Sequence, residues 1–107
     1  MPSIDYMAVI DLLAKTLRQE HVDVRFPDKS VDRIEAVMSS PDAPPRSFIV
    51  TVQADRLEIS FPKNYYSDRE IDSWLPSFEY ELEQKFLRNV EVSMEKDISR
   101  HIVKIKM

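Results

Sequence analysis

Two histidines, His21 and His101, are the side chains of this sequence best suited to moving protons near neutral pH. His21 stands where a helical run ends, and a helix dipole there favours an imidazolium. Asp23 beside it offers one further donor, short of the set a zinc ion needs. His101 falls on the apolar side of an alternating segment and reads as a hydrogen-bonded residue at the edge of a core. Carboxylates are plentiful, but an acid–base pair among them would have to be assembled by folding. Asp68, Glu70, Asp72, Glu79, Glu81 and Glu83 lie in one segment opposed only by Arg69. A solvated helix face explains them simply. The sharper reading is an acidic docking surface for a basic partner, with Glu79 and Glu83 among its contacts, or a mimic of nucleic-acid charge. The sequence singles out no catalytic residue, no metal ligand and no cofactor-binding residue.

Composition removes several chemistries. Cysteine is absent, which excludes disulfides, thiolate catalysis and cysteine zinc sites. Glycine is absent too, although average usage is about 7%. Loops that cradle phosphate need glycine for close backbone approach, so Walker-type loops, the dinucleotide fingerprint and the G-x-S-x-G elbow do not occur. The net charge of −4 argues against generic binding to nucleic acid or to anionic membrane. No apolar run approaches the ~18 residues of a membrane span. The first residues, Met-Pro-Ser-Ile-Asp, lack the basic and apolar regions of a signal peptide. A cytoplasmic location is the expectation.

Two surface patches have the composition of contact sites. Tyr65, Tyr66 and Trp74 belong to residue types enriched at binding hot spots, with Tyr65 expected to be the exposed member and Tyr66 tied to helix capping. Residues 85–107 carry Lys85, Arg88, Lys96, Arg100, Lys104 and Lys106 against Glu91, Glu95 and Asp97. Lysines on a terminal strand guard an edge against aggregation. The same stretch, through Arg100 and Lys104, could instead hold an anionic ligand or accept a partner strand.

The elements that would position these residues centre on Phe48–Phe61. Phe48, Val50 and Val52 alternate with polar residues, as do Leu57, Ile59 and Phe61. A loop around Ala54-Asp55 opposes Val52 with Leu57, Val50 with Ile59 and Phe48 with Phe61. A one-residue slip would mix the faces. Primed hairpin turns prefer positive φ, which Ala-Asp supplies poorly, so a four-residue loop from Gln53 to Arg56 is the alternative in the same register.

Before the hairpin, Ser3 is the expected N-cap of a helix from Ile4 to about Glu20, with Asp5 in its first turn. Val22–Phe26 alternates as a strand stopped by Pro27, with Asp28-Lys29-Ser30 as a turn. Val31–Met38 reads as a strand carrying Ile34, Ala36 and Met38 on one face, or as a helix; strands on both sides favour the strand. Ser39–Arg46, with three prolines, reads as an exposed loop. After the hairpin, Ser67 and Glu70 form a capping box, with Tyr66 stapled onto Ile71. Pro76 is expected to divide a short turn from a longer helix, and Asn89 to close that helix in a left-handed conformation. Val90–Met94 and Arg100–Lys106 are strands around a turn at Glu95–Ser99.

The expected fold is one α+β domain over residues 1–107, ordered α-β-β-β-β-α-β-β: a mainly antiparallel sheet, meander plus C-terminal hairpin, covered by two amphipathic helices. This order of helix, meander, helix and hairpin resembles that of small acidic secretion chaperones, whose homodimers grip unfolded partners. The resemblance is one of architecture. The function expected is a non-catalytic interaction module with a protein partner or a homodimer, bound through a sheet edge or helix face. Two alternatives stand beside it: a ligand binder or small enzyme with a pocket between sheet and helices, and an acidic decoy of a nucleic-acid-binding protein.

Overall fold

A computed structural model describes residues 5–26 and 32–107. Its elements run α1 (Tyr6–Thr16), β1 (His21–Arg25), β2 (Arg33–Ser40), β3 (Ala43–Val52), β4 (Arg56–Pro62), α2 (Asp68–Phe86), β5 (Glu91–Lys96) and β6 (Arg100–Lys106). The strands form one six-stranded sheet, antiparallel throughout, in the order β1-β2-β3-β4-β6-β5. The fold is α+β in the expected element order.

Period-two patterning sets which side of the sheet is buried. Ile34, Ala36 and Met38 of β2, Phe48 and Val50 of β3, Leu57, Ile59 and Phe61 of β4, and Val103 and Ile105 of β6 are all sealed from solvent. Val9, Ile10 and Leu13 of α1 and Ile71, Phe78 and Leu82 of α2 complete the same cluster. The strand reading of the Val31–Met38 segment is therefore correct from Arg33 onward, and Val31 itself lies outside the described residues. The hairpin register is also as read, with Val52 opposite Leu57 and Val50 opposite Ile59. Phe48 and Phe61 meet edge to face at 5.4 Å between ring centroids. Gln53 N–H donates to Arg56 C=O at 2.9 Å, and neither Ala54 nor Asp55 takes a positive φ. The turn closes without the backbone that only glycine adopts easily.

Several expectations need correction. The N-cap of α1 is Asp5, whose carboxylate accepts from Ala8 N–H at 3.2 Å; Ser3, like the turn expected at residues 28–30, lies outside the described residues. α1 stops at Thr16 rather than near Glu20, because Arg18 swings into the left-handed region at φ 58° and Gln19 N–H reaches back to Ala14 C=O at 2.8 Å. His21 consequently opens β1 and does not cap a helix. Ser39–Arg46 is no loop. Pro41 and Asp42 make a turn, and Pro44 and Pro45 lie inside β3 where the register shifts between Met38↔Arg46 and Ser40↔Ala43. Three steps on β3 there oppose two on β2, a bulge in which a residue without N–H is tolerated.

Pro76 does not divide α2, which is one helix of 19 residues. Its start is fixed upstream by Ser67, whose hydroxyl accepts from Glu70 N–H at 3.1 Å while the Glu70 carboxylate accepts from Ser67 N–H at 3.0 Å. Burial of Ile71 before Pro76, and of Phe78 and Leu82 after it, holds both halves on the same core. Pro76 and Asp72 are exposed, so the Asp72 carbonyl that loses its i+4 donor lies on the solvent side. The helix ends at Leu87, φ 54° and ψ 43°, and not at Asn89. The chain must turn there because Val90 returns to the core at 3% exposure. Leucine in this conformation is strained by its Cβ. Leu87 is 88% exposed and forfeits little packing if removed, so Leu87→Gly should stabilise the protein by about 0.5–1 kcal/mol, read as a raised urea midpoint at unchanged slope.

Candidate functional site

Both helices pack on one side of the sheet, and among the described residues nothing covers the other side. The register places its side chains in continuous rows. One row crosses all six strands as Arg25, Glu35, Ile49, Ser60, Ile102 and Glu95. A second runs Arg33, Thr51, Glu58, Lys104 and Ser93. Val37, Ile49, Thr51 and Ile102 are half-buried along its middle. Charges of both signs surround them, as expected of a sheet face that meets water.

Towards β5 this face dips into a groove of about 270 Å³ bordered by Arg56, Glu58, Glu91, Ser93, Lys104 and Lys106. Lys104 is paired with Glu95 across the hairpin. That contact holds its ammonium above the ordinary lysine range, chiefly through the hydrogen bond to Glu95. Arg100 donates from Nε to the Ser60 hydroxyl across the β4–β6 ladder. Of the residues expected to contact partners, Arg100 and Lys104 thus share this face. They do not sit on an edge: β6 is paired on both sides, and the free edges among the described residues are β1 and β5. The reading of the last strand as a lysine-guarded edge is corrected accordingly.

The other expected contact residues lie across the sheet. Glu79 and Glu83 are half-buried on α2, and Glu83 accepts from Val90 N–H at 3.3 Å. Trp74 is half-buried, packed edge to face on Tyr66 at 6.0 Å and Phe78 at 6.3 Å. It lines a shallow cleft of about 320 Å³ between α1 and α2, with Lys15, Thr16, Ser73, Ser77 and Glu81. Lys15 and Glu81 bridge the cleft at 3.4 Å.

Tyr65 is more enclosed than the sequence suggested. Its ring stacks on Phe61 at 6.4 Å and meets Phe48 at 5.8 Å, and its hydroxyl accepts from Ser47 N–H at 2.8 Å. Arg46 lies over the Tyr65 and Tyr66 rings, at 5.5 and 4.5 Å. Burial raises the Tyr66 phenol above its usual range, with Arg46 opposing that shift. The Ser47 hydroxyl continues the link to Glu35 at 2.7 Å. Nothing in the spacing of Glu35, Ser47 and Tyr65 signals this chain, because Glu35 and Ser47 lie on neighbouring strands and Tyr65 in the turn between β4 and α2, brought together only by folding.

His101 is the buried polar residue of the core, 1% exposed. Its Nε2 lies 3.0 Å from Asp68 Oδ1, and Lys96 Nζ sits 2.7 Å from the other carboxylate oxygen. Lys96 first, and His101 second, hold the Asp68 carboxyl below the ordinary range. A carboxylate whose pKa is lowered by folding stabilises the fold above its unfolded pKa and loses that contribution as pH falls through the folded value. Asp68→Asn should therefore flatten the acid side of the stability profile. The fall in unfolding free energy between about pH 6 and about pH 3 should be smaller in the variant than in the natural chain.

Among the described residues, no three His, Asp or Glu side chains are grouped to hold a metal ion, and no helix is long and apolar enough to cross a membrane. The layer between sheet and helices is filled by Phe48, Phe61, Phe78, Ile34 and Leu82. Four of the six acidic side chains of α2 have local tasks: Asp68 holds His101 and Lys96, Glu70 caps the helix, Glu81 meets Lys15 and Glu83 holds Val90. The chain matches no family model, no curated protein and no solved structure among those compared with it.

Proposed function

We propose that this protein is an interaction module that binds other protein chains by main-chain pairing at its free strand edges. The observation that supports this is the combination, among the described residues, of a sheet with two open edges, β1 and β5, and helices confined to one side. Strands at an edge present unpaired N–H and C=O groups that an incoming extended segment satisfies. Both edges alternate half-buried with exposed residues: Val22 and Val24 on β1, Val92 and Met94 on β5. An added strand would find apolar contacts on its inner side and charges on its outer side. Meanwhile His101 is occupied by structure: with Asp68 it braces α2 against β6.

Hydrogen exchange tests this reading on a complex isolated from the source cell. Amides of residues 21–25 or 91–96 should gain protection when the partner is bound. Protection confined to the outer faces of α1 and α2 would overturn edge pairing in favour of a helix-face contact.

A further inference from the structure

Resting on that reading of the edges, we propose that the occupant of β1 is β1 of a second copy of this chain, paired antiparallel about a two-fold axis through Val24. A symmetric pair that continues a sheet must set residues of one face opposite residues of the same face, which requires the axis to pass through a residue. Val22 and Val24 face the core and Asp23 and Arg25 the open face, because Val22 opposes Met38 and Val24 opposes Ala36; an extension of the same alternation by one residue would carry Phe26, just beyond β1, onto the core face.

Three axes are then available. An axis through Asp23 brings that carboxylate against its own copy and His21 against Arg25. An axis through Val22 sets Glu20 against Val24. The axis through Val24 opposes Asp23 with Arg25 of the second copy, and Arg25 with its Asp23, so both charge pairs are favourable. It also pairs Val24 with its counterpart and sets Val22 against Phe26, a phenylalanine left 46% exposed in the single chain. Within one copy Asp23 and Arg25 already meet at 3.2 Å, with both side chains more than half exposed. Pairing would join them into four charges of alternating sign around the axis.

The β5 edge lacks this self-complementarity. An axis through Ser93 opposes Glu91 with Glu95 twice. One through Met94 sets Lys96 against Val92. One through Val92 requires Val90, whose N–H is already held by Glu83.

Sedimentation of the purified chain over about micromolar to millimolar concentration should show a monomer–dimer equilibrium. Asp23→Arg alone and Arg25→Asp alone should each weaken the dimer by about tenfold or more, since two attractive pairs become repulsive. Mixed together, the two variants should form a dimer containing one of each. The first variant then brings two guanidinium groups to the axis and the second brings two carboxylates, so every cross-strand pair is again of opposite sign. This recovery also shows that both variants remain folded. A chain that stays monomeric throughout, forms larger species, or yields variants that dimerise as well alone as mixed would overturn the proposal. If the chain is monomeric but a foreign partner protects residues 21–25 or 91–96, the second copy is excluded and edge pairing stands. If neither occurs, both fail.

Discussion

Val50→Asp should leave no cooperatively folded protein, while the neighbouring Thr51→Asp should lower stability by less than about 1 kcal/mol. The two positions are adjacent on β3 and differ in the side of the sheet they face. Val50 is sealed from solvent between Ile34 and Ile59. A carboxylate there would be desolvated with no cation to meet it, a loss of at least ~4 kcal/mol. That approaches the whole stability of a small domain, about 5–15 kcal/mol. Thr51 lies half-exposed between Arg33 and Glu58, so a carboxylate there gains one favourable and one unfavourable neighbour while remaining hydrated. Circular dichroism and urea denaturation of both variants read the contrast directly. Equal tolerance would mean that the strand faces are assigned the wrong way round.

Phe61→Ala should be the most damaging neutral truncation, at about 3–5 kcal/mol. The Phe61 ring contacts four others: Phe48 at 5.4 Å, His101 at 5.6 Å, Tyr66 at 5.9 Å and Tyr65 at 6.4 Å. The edge-to-face pairs with Phe48 and Tyr66 and the stacked pair with Tyr65 add to the area they bury. Two of its partners also carry polar connections out of the core, Tyr65 to Ser47 and His101 to Asp68. The cavity would therefore loosen the turn into α2 and the β4–β6 ladder together. A loss below about 1.5 kcal/mol by denaturant titration would show that the surrounding rings collapse into the space instead.

The parts of this fold that the sequence discloses are those governed by short-range rules. Period-two alternation sets the Val50–Ile59 register, because a slip of one residue would expose the whole apolar face. Ser67 and Glu70 disclose the start of α2 because a capping box is a purely local exchange of hydrogen bonds. The misreadings arise where tertiary packing overrides local preference. Pro76 looks like a helix boundary, yet Ile71 and Phe78 are worth more buried in one helix than the single hydrogen bond that proline removes. Pro44 and Pro45 look like a loop, and a bulge admits them into β3. Leu87 carries no signal for a left-handed cap; the return of Val90 to the core imposes it. The edges stayed hidden for a topological reason. That β6 inserts between β4 and β5 cannot be read from residue order, so the sequence places Arg100 and Lys104 on an edge that is in fact β5, and nothing in it marks β1, with Asp23 and Arg25, as the other edge.

The same insertion has a consequence for synthesis. β1 to β4 pair in chain order, so this meander can assemble as it emerges, with only short loops to close. The far side of β4, however, waits for β6, whose ladder joins Leu57 to Ile105 and Pro62 to Arg100. All of α2 and β5 must be made in between. During that interval a nascent chain displays β4 as a temporary edge, with Leu57, Ile59 and Phe61 along it. A chain halted with β4 clear of the ribosome and β6 not yet free would therefore hold a sheet open along Leu57, Ile59 and Phe61, a stage exposed to misassembly with its neighbours.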